Sequence, residues 1–193
     1  MPITHVNAKG KTYFLHQGRT KTGKAKYYFS MKNEGTLADA IPEGFEIYEN
    51  PNAQMFLRRI PPKIITDEEK AIVEDGMRQY TDLEYYKVDV KGNAIFVYTA
   101  VQDIDALTAL FQNSPTYQHE KARIMETLHQ SIQYTPDMQF ELIDEKKRTF
   151  ATQRYCYIGS IDDWIYIGRS GKLPRLVKRY VKHLGKESFF ELR

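Results

Sequence analysis

The sequence predicts an α+β fold of mostly antiparallel sheets with several amphipathic helices. Three observations carry this. Two aromatic-rich runs, residues 11–17 and 25–31, flank a polar, glycine-bearing tip. A second hairpin signal spans residues 83–100. Helical spacing with start and stop residues appears at 67–80 and 174–184.

The first two runs are rich in Tyr, Phe and Thr, which suit a pleated surface. Tyr13, Leu15 and Gln17 share one face, and Thr12, Phe14 and His16 the other. In the return run Tyr27, Phe29 and Met31 share a face. Gly18 and Gly23 bracket the tip and are expected to supply the positive φ of a tight reversal. Residues 34–44 read as a turn, a very short helix and a second turn. Residues 45–49 alternate as a half-buried strand, 50–53 turn, and 54–58 return. These strands are expected to form one four-stranded sheet over about residues 3–60, with Arg58 and Arg59 pairing to Glu46 and Glu49. The stiff Ile60-Pro-Pro-Lys63 marks a boundary between an N-terminal β-module, 1–60, and an α+β module, 61–193.

Thr66-Asp-Glu-Glu69 matches a capping box, and Val73, Met77 and Tyr80 follow at helical spacing, so residues 67–80 are a helix. Residues 83–90 and 94–100 pair about Lys91-Gly-Asn93. Asp103 caps a helix to about Phe111, ended by Ser114-Pro115. A longer helix runs over 117–133, burying Ile124, Met125, Leu128 and Ile132, and Thr135-Pro136 stops it. Residues 139–144 and 148–159 are strands, Asp162 and Asp163 occupy a turn, and 164–168 is a further strand. The last helix, 174–184, starts at Pro174 and ends at Gly185. Lys172, Arg175, Lys178, Arg179, Lys182 and Lys186 fall on one side of it. Leu173, Leu176, Val177, Tyr180, Val181 and Leu184 fall on the other. Residues 188–192 are expected to close as a short strand.

The net charge of +3 conceals a pattern. Residues 1–33 carry +7 with no acid before Glu34; 34–76 carry −6, 77–144 carry −5, and 145–193 carry +7. Basic ends around an acidic middle point to a polyanionic partner or to an acidic protein. A charged fraction of 27% argues against a membrane protein, and no apolar run approaches the roughly 20 residues of a membrane span. No leader-like apolar segment opens the chain, and Cys156 is its single cysteine, which fits a reducing cytoplasm.

Complete catalytic motifs are missing. His5, His16, His119, His129 and His183 are scattered without ligand spacing, so neither a metal nor another cofactor is expected. There is no phosphate loop, dinucleotide fingerprint or nucleophile elbow. Cys156 lies in an apolar run and reads as a buried thiol rather than a nucleophile.

Tyr157-Ile-Gly159, then Tyr166-Ile-Gly168, then a basic helix carrying Arg175, resembles the opening of the GIY-YIG nuclease family. The first motif here reads Cys-Tyr-Ile-Gly where the family has Gly-Ile-Tyr. The resemblance implies that Tyr157, Tyr166 and Arg175 surround a scissile phosphate, with a metal-dependent cleavage.

The favoured expectation is a non-enzymatic nucleic-acid-binding protein. Arg19, Lys21, Lys24 and Lys26 of the hairpin and Arg175, Lys178, Arg179 and Lys182 of the last helix would contact phosphates. Tyr27 or Tyr28 would stack on a base. A protein-interaction module or inhibitor with segregated charge is the alternative, and a divergent nuclease of the kind above a further one.

Overall fold

The computed structural model describes residues 1–112, 117–158 and 160–192. They form an α+β fold with three antiparallel sheets. The chain divides into two compact units, Met1–Pro62 and Lys63–Arg193.

In the first unit, β1 (Thr4–Val6), β2 (Thr12–Arg19) and β3 (Ala25–Ser30) make one sheet in that order. β4 (Phe45–Glu49) and β5 (Met55–Arg59) make a separate pair. The expected single four-stranded sheet is therefore two. The expected short helix in residues 34–44 is also absent among the described residues. Both departures have one cause. Residues 36–38 extend along β2 where β1 stops. Ala38 N donates to the Leu15 carbonyl at 2.8 Å, and Gln17 N to that of Thr36 at 3.0 Å. Their backbone groups serve β2, so they neither coil into a helix nor leave β4 a place beside β2. Asn7, only 5% exposed, ties the two sheets together. Its Nδ2 donates to the Ala53 carbonyl at 2.7 Å, and its Oδ1 accepts from the N–H groups of Lys9 and Lys11. Arg58 pairs with Glu46 at 2.9 Å, as expected, whereas Glu49 accepts from the Ala8 N–H and approaches His5.

The second unit is built on a five-stranded sheet of order β10-β9-β8-β7-β6. The strands are β6 (Tyr86–Lys91), β7 (Ala94–Ala100), β8 (Tyr134–Asp144), β9 (Thr149–Ile158) and β10 (Ile161–Tyr166). α2 (Ile104–Gln112) and α3 (Tyr117–Ser131) are inserted between β7 and β8. The expected helix stop at Ser114-Pro115 and the strand end at Gly159 lie outside the described residues. α1 (Asp67–Tyr80) and α4 (Leu173–Tyr180) share one core with the sheet. Ile95, Val97, Met138, Phe140 and Phe150 meet Val73 and Met77 of α1 and Leu173, Leu176, Val177 and Tyr180 of α4 there. The α1 capping box forms as its sequence predicts.

Three further expectations are corrected. Thr135-Pro136 does not end an element; it lies within β8. Pro136 stands opposite Tyr98, where the β7 register shifts, and an irregularity in the ladder is where a residue without an N–H fits a central strand. Asp162 and Asp163 lie in β10 rather than a turn, because Ile161 already pairs with Ile158. The C-terminal residues form a 3₁₀ turn, Glu187–Phe189, instead of a strand. Phe189 enters the core, and the buried Arg154 donates to the carbonyls of Phe190 and Leu192 at 3.2 and 3.3 Å, which leaves that segment no ladder to join.

Candidate nucleic-acid interface

The N-terminal hairpin forms around a five-residue tip between β2 and β3. Gly23 N donates to the Thr20 carbonyl at 2.9 Å, and Thr20 N to that of Lys24 at 2.8 Å. Gly23 has φ +80°, the left-handed value this reversal requires. Gly18 does not share the role expected of it. It lies inside β2, paired with Lys26. Arg19, Lys21, Lys24 and Lys26 are all exposed. None has a carboxylate within ion-pair distance among the described residues.

The two tyrosines of β3 differ. Tyr27 sits across from Gln17 on the face of the buried Leu15 and is half-buried. Tyr28 sits across from His16 and is 46% exposed.

In the second unit the cationic face of α4 is solvent-facing from end to end. Lys172, Arg175, Lys178, Arg179, Lys182 and Lys186 are exposed, while Leu173, Leu176, Val177 and Tyr180 are buried. Arg175, Lys178 and Lys182 have no acidic partner among the described residues; Lys186 reaches Asp82 at 3.5 Å. The first turn of α4 holds no acid and the helix has no side-chain N-cap. Cations near a helix N-terminus oppose the helix dipole, at a cost of about 0.3–1 kcal/mol each. Lys178 and Arg179, in the last turn, are favourable; Arg175, in the first turn, is not, and Lys172 at the N-cap donates from Nζ to the Lys147 carbonyl. Helix stability therefore accounts for only part of the stripe. Downstream, His183 is held below its ordinary pKa first by burial and then by Lys182 and Lys186.

The residues of the nuclease resemblance do not converge. Tyr157 and Tyr166 are 80% and 63% exposed. They pair with Asp162 and Gln153 respectively, so they stand four residues apart along the ladder, roughly 13 Å. Tyr166 donates to Glu141 at 3.0 Å, which raises its pKa, and this places it on the sheet face opposite the core. α4, which carries Arg175, packs on the core face. The glycine of Tyr-Ile-Gly168 has a packing reason: at φ +65°, a Cβ there would stand 1.8 Å from the Tyr180 hydroxyl. Among the described residues no group of three His, Cys, Asp or Glu could hold a metal ion. Cys156 is buried.

Sequence reasoning missed the second aromatic surface. On the sheet face away from α1 and α4, Trp164 meets Phe96 and Tyr155 edge-on, at centroid distances of 5.7 and 5.3 Å. The alternation of residues 153–157 and 162–166 carries that signal. Carboxylates share the surface, Glu141 and Asp162 each accepting from a tyrosine, so it lacks the positive character of the hairpin and α4.

No described helix is long and apolar enough to cross a membrane. Comparison with models of protein families, with curated proteins and with solved structures returns no significant match.

Proposed function

We propose that this protein binds nucleic acid in a reducing cytoplasm, as a binding protein rather than a catalyst, through phosphate contacts that do not read base sequence. One observation carries the reading. The cations of α4 run the length of its exposed face, including Arg175 in its first turn, which opposes the helix dipole and finds no carboxylate among the described residues. A cation kept in the first turn against the helix dipole is accounted for by an external anion. The cations of the hairpin, Arg19, Lys21, Lys24 and Lys26, supply a second surface of the same chemistry. Both surfaces are cationic along their exposed length, so affinity is expected to rest chiefly on counterion release.

The test is binding of labelled DNA and RNA, single-stranded and duplex, over a salt series, with a parallel Mg²⁺ arm. Affinity is expected to fall steeply with salt. Replacing Arg175, Lys178 and Arg179 by Gln, or Arg19, Lys21 and Lys24 by Gln, should weaken binding and flatten the log–log slope by about 1 for each phosphate no longer neutralised. No binding at low salt overturns the reading and leaves an acidic protein as the partner. Cleavage in the Mg²⁺ arm overturns it in favour of a nuclease.

A further inference from the structure

The hairpin carries five aromatic side chains, Tyr13, Phe14, Tyr27, Tyr28 and Phe29, and only Tyr28 among them is exposed. Its ring is not free to wander. It stacks on His16 with centroids 5.1 Å apart and planes 13° from parallel. His16 is itself 5% exposed and fixed, its Nε2 donating to the Lys32 carbonyl at 2.8 Å and its backbone bridging Leu37. Gly18 lies beside the ring edge, where an added Cβ would stand 4.0 Å from Tyr28 Cε1, in ordinary contact with it. Lys26 Nζ lies over the ring, 5.7 Å from its centroid, a cation–π contact on a flexible stem that an incoming base would share or displace.

A held, exposed ring accepts either a cation or another flat π-system. A cationic ligand would meet repulsion from Arg19, Lys24 and Lys26, with no carboxylate in residues 1–33 to offset it. A flat, uncharged base tethered to a phosphate suits both the ring and the lysines. A duplex keeps its base faces stacked inside, out of the ring's reach. We infer that Tyr28 is a base-stacking platform and that the hairpin takes single-stranded nucleic acid, its lysines tracking the backbone while one unpaired base lies on the ring. This rests on the nucleic-acid reading above and narrows it to unpaired strands.

Full-length protein is titrated with labelled oligo(dT), oligo(U) and a blunt duplex, the first two distinguishing DNA from RNA as source of the base. Tyr28→Leu should weaken single-strand binding about tenfold. The salt slope should not change, because no cation is removed. Tyr28→Phe and Tyr28→Trp, which keep a π face, should bind single strands as the unmodified chain does; Tyr28→Thr, which suits a strand but has no π face, carries the test in place of Tyr28→Leu if that variant fails to fold, with the same loss expected. Duplex binding should not respond to any of them. Single-strand affinity equal in folded Tyr28→Leu, or equal losses in Tyr28→Leu, Tyr28→Phe and Tyr28→Trp, overturns the inference. If the charge variants still lose affinity in that case, phosphate binding survives without the stacking. Absence of binding by any probe overturns both.

Discussion

Glu69 shows how much one side chain can hold. Its carboxylate accepts from the Thr66 N–H at 3.0 Å as the return half of the capping box. It also receives Arg148 Nε at 2.8 Å, and a second bond from the same guanidinium, which further donates to the Ile64 carbonyl at 3.1 Å. The start of α1 is thus tied to the β8–β9 turn, where Arg148 adopts φ +44°. Burial opposes ionisation of Glu69, but the hydrogen bonds from Arg148 and Thr66 prevail and hold its pKa below the usual carboxylate value. A depressed carboxyl contributes stability above its unfolded pKa of about 4.5 and loses that contribution as pH falls through the folded value. Glu69→Gln keeps a capping acceptor and removes the charge. It should cost about 1 kcal/mol at pH 7 in urea unfolding, with the difference from the unmodified chain vanishing in strong acid. The capping half of this arrangement was legible in Thr66-Asp-Glu-Glu69. The Arg148 half was not, since 79 residues separate the partners and only folding brings them together.

At the scale of the element, α4 separates two demands on one helix. Its apolar side follows from spacing alone and is buried as the spacing predicts. The charge at its first turn is a different matter. Arg175→Glu would place an acid where the helix dipole favours one, so thermal unfolding should be unchanged or slightly higher, by about 0.3–1 kcal/mol of stability. Nucleic-acid affinity should fall in the same variant. Stability and binding moving in opposite directions would separate a partner-facing stripe from one that serves folding; parallel loss of both would assign it to folding. The hairpin is the comparable element in the first unit. Its alternation was readable. The identity of its exposed ring was not, because Tyr27 and Tyr28 are adjacent, and the face that stays open depends on what covers Leu15.

Across the whole molecule, the single thiol offers a probe of cooperative opening. Cys156 is 4% exposed in β9, an interior strand of the five-stranded sheet. A buried thiol reacts only through opening. An aromatic disulfide reagent should modify it slowly in native buffer and quickly once denaturant unfolds the second unit. Fast native modification would contradict the packing of β9.

What the sequence determined by itself is local: antiparallel hairpins, the capped α1, the amphipathic α4, and the segregation of charge into basic ends and an acidic middle. These depend on residues a few positions apart, where periodicity and end signals act directly. Tertiary structure alone decided which edges were occupied. Residues 36–38 became an extended edge of β2 instead of a helix, residues 187–189 a 3₁₀ turn under Arg154 instead of a strand, and Pro136 part of a central strand at a register shift. It also separated Tyr157, Tyr166 and Arg175, which lie close in sequence. The reason is common to all of these. Backbone groups must find partners, and which partner is nearest depends on residues far along the chain that local pattern does not report.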